Sequence, residues 1–134
     1  MTEKTLILEI VTPERVLMRE EVATVVVPAA FGYLGVLPGH APLVTGLTPG
    51  VVRFRSGDGT HRLAIGGGFM EIAGNKVVLL ADTAERAEDI DVARAQRAYE
   101  RACQRLKRRG QDVDELRAEA ALKRAVARLK AARQ

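Results

Sequence analysis

Over residues 1–84 the apolar positions come in short runs separated by Gly, Pro and polar clusters. Thr5–Val11 reads as a strand that stops at Thr12-Pro13, and Val16-Leu17-Met18 as a shorter one. Val22–Val27 carries the strongest β signal: four of its six residues are Val, and Pro28 ends it. Phe31–Leu43 contains Gly32, Gly35, Pro38, Gly39 and Pro42, which describes a tightly folded turn–strand–turn rather than a linker. Val51–Arg55 and His61–Ile65 flank a turn at Ser56–Thr60, and Phe69–Ala73 and Lys76–Ala81 flank Gly74-Asn75. These two hairpins and the regular turn spacing predict an antiparallel sandwich or barrel.

From Ile90 the period changes. Val92, Ala95, Tyr99, Ala102, Cys103 and Leu106 recur at helical spacing, and Val113, Leu116, Ala118, Ala121, Leu122, Ala125, Val126 and Leu129 make a second stripe. Lys107-Arg108-Arg109-Gly110 predicts the end of the first helix, and Asp112 with Glu115 a capping box that starts the second. Asp89 and Asp91 stand where the first helix begins, suited to its orphan N–H groups and the positive end of its dipole. The chain thus divides into a β body, residues 1–84, and a two-helix antiparallel hairpin, residues 85–134. Both helical stripes are largely Ala, which buries far less area than Leu, so a marginal hairpin able to open is expected.

The aromatic content is 4% with no Trp, so the core must be aliphatic. No apolar run approaches the roughly 18 residues of a membrane span, and the N-terminus lacks a signal-peptide core, so a soluble intracellular protein is expected. Cys103 is the only cysteine, which leaves no intrachain disulfide. Charge is unevenly placed. Residues 1–88 hold 8 Lys/Arg and 10 Asp/Glu, a net −2, whereas residues 89–134 hold 13 and 7, a net +6. A near-neutral body carries a basic arm.

Catalytic constellations are not evident. The only serine, Ser56, falls in a hairpin tip, and His40 and His61 are isolated from any acid cluster with metal-ligand spacing. Gly66-Gly67-Gly68 lacks the lysine of a phosphate loop and leads into a strand, so a strand bend or bulge is predicted there. Arginine is the conspicuous chemistry. Arg94, Arg97, Arg101, Arg105 and Arg108 descend one helix in steps of three or four, and Arg117, Arg124 and Arg128 follow on the next. Like charges at that spacing repel by a few tenths of a kcal/mol each, which favours an anionic counterpart. Nucleic acid is a poor candidate. Glu100, Asp112, Asp114, Glu115 and Glu119 interrupt the arm, and Tyr99 is its only aromatic.

Four segments together resemble the epsilon subunit of bacterial F-type ATP synthases: Gly35–Leu43 (GVLPGHAPL), Gly67–Ile72 (GGFMEI), Ala81–Arg86 (ADTAER) and Ile90–Ala95 (IDVARA). The last fits the family's I/L-D-x-x-R-A nucleotide motif at every fixed position, while Tyr33 replaces the acidic residue that relatives commonly carry. The resemblance implies a β-sandwich followed by a helical hairpin, and a regulatory, non-catalytic subunit with no required cofactor. It implies docking on the gamma subunit and the c-ring through the sandwich, and on the alpha/beta catalytic head through helices that open and inhibit ATP hydrolysis. The place implied is the cytoplasmic face of the bacterial plasma membrane, peripheral to it. ATP is the implied regulatory ligand of the closed hairpin, with Glu85 and Asp91 near adenine or ribose and the Ile90 and Ala95 backbone shaping the pocket. Arg94, Arg101, Arg124 and Arg128 are expected to face one another across the hairpin and to meet the triphosphate.

Overall fold

The computed structural model describes residues 5–108 and 114–133. Eight strands come first: β1 (Leu6–Val11), β2 (Val16–Val22), β3 (Thr24–Ala29), β4 (Gly32–Val36), β5 (Leu43–Ser56), β6 (Gly59–Ala73), β7 (Lys76–Ala81) and β8 (Ala84–Arg86). A 3₁₀ turn at Ala87–Asp89 leads to two helices, α1 (Val92–Lys107) and α2 (Glu115–Arg133). The sheet order is β2-β1-β7-β6-β5-β3-β4, with β8 added beside β6. Every pairing is antiparallel except that of β1 with β7, which run side by side in one direction. The expected body-then-hairpin architecture is therefore present.

The two predicted hairpins are parts of something longer. Strands β5 and β6 run 14 and 15 residues and stay paired from Leu43↔Ile72 to Ser56↔Gly59. A flat strand of that length would span about 45–50 Å, so the pair has to bend. The bend falls at Pro49 and Gly66-Gly67-Gly68, with Pro49 opposite Gly66. Before the bend β6 pairs with β8 (Leu63↔Arg86 to Ile65↔Ala84), and after it with β7 (Gly68↔Ala81 to Ala73↔Lys76). Gly66 N–H donates to the Thr83 carbonyl at 3.0 Å and Asp82 N–H to the Gly67 carbonyl at 2.9 Å, which pins the β7–β8 connection to the corner. Gly67 and Gly68 have φ of 101° and 137°, and a Cβ on Gly68 would collide with the Leu80 carbonyl oxygen. Only glycine fits there. The bend predicted at the three glycines is the corner of the sandwich.

The core between the layers is aliphatic, as composition demanded. Leu8, Ile10, Val25, Val27, Leu63, Ile65, Met70 and Leu79 are fully or almost fully buried around Phe54, the one phenylalanine inside. Burial of each such side chain stabilises by roughly 1.5–3 kcal/mol. At the tip of the β6–β7 hairpin, Gly74 and Asn75 both have positive φ (56° and 61°), the geometry of a two-residue type I′ turn.

Alternation fails where the body meets the helices. Val51 and Val52 are both buried, as are Leu63, Ala64 and Ile65. One face of this stretch points into the sandwich, and the other lies under α2, where Val51 and Ala64 pack with Ile90, Ala95, Ala127, Leu129 and Ala131. Helix α2 is buried on two sides, and α1 lies outside it. The stripe expected on α2 is only partly buried: Ala118, Ala125 and Leu129 are covered, whereas Leu116 is 80% exposed. Ala127 and Ala131 form the second covered face. The hairpin seam is alanine-rich as predicted, but α2 also rests on the body. The expected stop at Gly110, the Asp112 cap and Val113 lie outside the described residues. Asp114 caps α2 instead, accepting the Arg117 N–H at 3.0 Å.

Candidate functional site

Helix α2 runs antiparallel to the outer face of β6. Arg62, Ala64 and Gly66 alternate onto that face, and they meet α2 near Ala131, Ala127 and Arg124 in turn. Arg62 Nε donates to the Ala131 carbonyl at 3.0 Å, Ala64 shares a buried cluster with Ala127, and the Arg124 stem lies 3.5 Å from where a Gly66 Cβ would stand. Lack of a side chain at Gly66 leaves room beneath α2. A cavity of about 530 Å³ opens there, between the body and both helices. Such a volume suits a small molecule, whose sites run from about 300 to 1,000 Å³.

The cavity is lined by Arg101 from α1, Arg124 and Arg128 from α2, and Thr83, Glu85 and Gly66 from the body. Its floor is small and apolar, from Ala64, Ala98, Ala121 and Ala125. Glu85 sits on β8 opposite Ala64 and holds Arg128 with both oxygens, Oε1 to Nε at 2.8 Å and Oε2 to Nη2 at 3.4 Å. This is the bidentate geometry that suits guanidinium and carboxylate. Arg101 and Arg124 have no hydrogen-bond or ion-pair partner among the described residues. Three guanidinium groups thus face one carboxylate, a lining with surplus positive charge.

Four of the eight residues singled out from the sequence line this cavity: Glu85, Arg101, Arg124 and Arg128. The other four lie outside its lining. Asp91 is the N-cap of α1, its Oδ1 accepting the Arg94 N–H at 3.0 Å and its carbonyl the Ala95 N–H at 3.0 Å. Arg94 stands on the same helical stripe as Arg101 but two turns nearer the N-terminus, with an exposed side chain. Ile90 and Ala95 are buried in the cluster under α2. The motif therefore starts and seats α1, and the cavity begins beyond it. Arg62, Gly66 and Thr83 were not foreseen. Gly66 and Thr83 come from segments already singled out, but nothing local in the sequence says that they meet α2.

Beyond the cavity, His61 is less isolated than its sequence neighbours suggested. It stacks on Phe54 with ring centroids 5.1 Å apart, and Asp58 Oδ1 lies 3.1 Å from its Nε2 and 2.6 Å from Ser56 Oγ. The Ser56 hydrogen bond, then that of His61, lowers the Asp58 pKa to about 2. On the other layer, Val44, Phe69 and Leu80 are 69%, 62% and 53% exposed. Register puts them on one outward face, with Phe69 opposite both Gly46 and Leu80.

A small-stranded sandwich with an arginine-lined cleft under a docked helical pair defines a class of protein that comparison identifies. Residues 5–87 match the beta-sandwich domain of the ATP synthase Delta/Epsilon chain, and residues 88–133 match its long alpha-helix domain. The chain is 57% identical over 102 residues to the ATP synthase epsilon chain of Carboxydothermus hydrogenoformans, covering 76% of each. It is 54% identical over 103 residues to that of Desulforamulus reducens, covering 77% of this chain and 78% of the relative. The chain belongs to the epsilon-chain family of F-type ATP synthases. Among solved structures, a chain of the Euglena gracilis mitochondrial ATP synthase, from an OSCP/F1/c-ring structure, superposes with a TM-score of 0.85 at 26% identity. That match covers all of this chain and 84% of the other. A chain from the central stalk and c-ring of the Tetrahymena thermophila enzyme shares the fold, with a TM-score of 0.64 at 16% identity and 98% coverage of both.

Proposed function

We propose that this chain is a non-catalytic subunit of the central stalk, and that its helical hairpin closes around ATP as a regulatory ligand. One observation carries the second part: Arg101, Arg124 and Arg128 converge from two helices on a cavity bounded by the body. An anion seated there touches both helices and the sandwich, so it binds the closed arrangement in preference to any open one. It stabilises that arrangement by RT ln(1 + [L]/Kd), about 2.7 kcal/mol at a hundredfold excess over Kd. The polyphosphate of a nucleotide matches the surplus positive charge, and the apolar floor offers a surface for a base. When the hairpin opens, its helices are free to reach the alpha/beta head and inhibit hydrolysis.

The body then serves as the docking part. The outward patch of Val44, Phe69 and Leu80 supports contact with the gamma subunit, and the Phe31–Leu43 segment, with Phe31 and Leu37 68% and 60% exposed, supports contact with the c-ring. Attachment to the cytoplasmic face of the membrane is peripheral in this reading. Among the described residues no helix is long and apolar enough to cross a membrane.

Calorimetric titration of the isolated chain with ATP tests the nucleotide site. Arg101→Ala and Arg124→Ala should each weaken binding by tenfold or more, the loss of a charge-assisted hydrogen bond being worth about 1.5–3 kcal/mol. Unchanged affinity in both variants removes the cavity from the explanation. Inhibition is tested separately, by comparing hydrolysis in complexes that hold the full chain with complexes whose chain ends near Asp89; the shorter chain should release it.

A further inference from the structure

Between the body and α2 the apolar contact is made mainly by alanine: Ala64 with Ala127 and Ala131, beside Val51 and Leu129. Two polar links cross the same seam. Glu85 on β8 grips Arg128 through both oxygens, with the Arg128 side chain 23% and the Glu85 side chain 36% exposed. Arg62 on β6 donates to the carbonyl of Ala131, in the last turn of α2. Residues 128 and 131 are three apart, so both links act on one face of the helix. They also differ in sign. The body offers an anion to a cation of α2, and a cation to the negative end of the α2 dipole, where the last carbonyls lack helical partners.

We propose that Glu85 and Arg62 form a latch that holds α2 on the body without any ligand, with Glu85 acting as an internal anion for Arg128. The inference deepens the nucleotide reading of this cavity and rests on its claim that the hairpin opens. Because Arg128 already donates from Nε and Nη2 to Glu85, it is held in place with its remaining N–H groups, beside the guanidinium groups of Arg101 and Arg124, for an incoming anion. Closure then has two independent contributions. The latch sets the resting balance between closed and open forms, and the ligand shifts it further.

The experiment uses the full isolated chain with no nucleotide. Spin labels on Lys130→Cys in α2 and Thr60→Cys, exposed on the face of β6 that carries Arg62, in a Cys103→Ala background, report closed and open populations as short and long distances. Glu85→Gln keeps the shape and removes the charge, and Arg62→Leu removes the link to Ala131. Each should raise the open-to-closed ratio about fivefold to tenfold, as expected for a partly buried charged link, and the double variant should raise it further. The exchange Glu85→Arg with Arg128→Glu should bring the ratio back toward that of the unaltered chain. Urea unfolding of the sandwich, followed in parallel, should stay unchanged and so separates undocking from misfolding. A ratio unmoved by both single variants overturns the latch. Should the ratio rise while ATP gives no binding heat with the unaltered chain, the latch stands and only the nucleotide reading falls.

Discussion

The phenol of Tyr33 accepts the backbone N–H of Val51 at 3.2 Å, across an intervening strand. Tyr33 on β4 is paired with Pro28 on β3, and the ladder between β3 and β5 is interrupted between Val26 and Ala29. The side chain leans over Pro28 and supplies an acceptor beside that gap. Gly50 makes room for it, since a Cβ there would stand 2.7 Å from Pro28 Cβ and 2.9 Å from the Tyr33 hydroxyl. Tyr33→Phe should therefore lower unfolding free energy by about 1 kcal/mol, through an amide left without its partner. Gly50→Ala should cost more, because two neighbours have to move. Urea denaturation of the three proteins checks both, and equal midpoints would falsify the account.

At the sandwich corner the two glycines differ in what surrounds them. Alanine at Gly68 meets the backbone of Leu80 and Ala81, the latter's Cα at 2.9 Å, with φ at +137°. Backbone cannot give way, so Gly68→Ala should destabilise by about 3 kcal/mol or prevent folding. Alanine at Gly66 meets the Thr83 hydroxyl and the Arg124 stem, which are side chains. Gly66→Ala should leave the fold standing but shift the cavity, seen as weaker ATP binding with little change in melting temperature.

Removal of the α1 cap separates Asp91 from Arg94. Asp91→Ala should cost the helical part about 1 kcal/mol, as other cap deletions do, and speed amide exchange in the first turn of α1. Arg94→Ala should leave that exchange unchanged, because its backbone rather than its side chain meets Asp91. A similar response in both variants would mean that the capping bond is not what starts the helix.

The β5–β6 tip makes a pH prediction. The Asp58 carboxyl titrates at about 2, below its ordinary 3.8, because Ser56 and His61 favour the charged form. A folded-state pKa that is depressed contributes stability above the unfolded value, and that contribution disappears as pH falls through the folded one. Its window is thus about pH 4 down to 2. Carboxyl NMR should show this midpoint, and Ser56→Ala should move it upward.

Phe69 is 62% exposed on a face away from the helices and makes little of the core. Phe69→Ser should leave folding within about 0.5 kcal/mol of the original while weakening co-purification with the gamma subunit. Retained association would redirect the search to another face of the body.

Local chemistry was read correctly where it decides structure alone. Gly74-Asn75 makes its turn and Asp91 caps α1, whereas the run Val22–Val27, expected as one strand ended by Pro28, is parted at Ala23 into β2 and β3, and Pro28 lies inside β3 paired with Tyr33. Long-range pairing was harder to read. Pro49 and the three glycines look like ends of strands, yet they are bends inside β5 and β6, because the partner changes there rather than the strand. Period also misled on α2. A helix covered on two sides by small residues shows no single stripe, so Leu116 was assigned to a seam it does not join. Half of the candidate site was visible as arginine at helical steps. Arg62 and Gly66 were not, since their role exists only once α2 lies along β6.

Because β5 and β6 pass through the corner without interruption, the two layers of the body share the same covalent chain. A twist applied to one layer reaches the other along backbone and its ladder of hydrogen bonds, not only through the grip of aliphatic side chains. Side-chain packing yields by sliding, whereas a strand pair turned through a corner yields only by breaking its ladder. A body built this way behaves as a braced bracket. Under the proposed docking it would pass rotation from one attached partner to the next with little lost in shear, and opening of the helices would not loosen the joint.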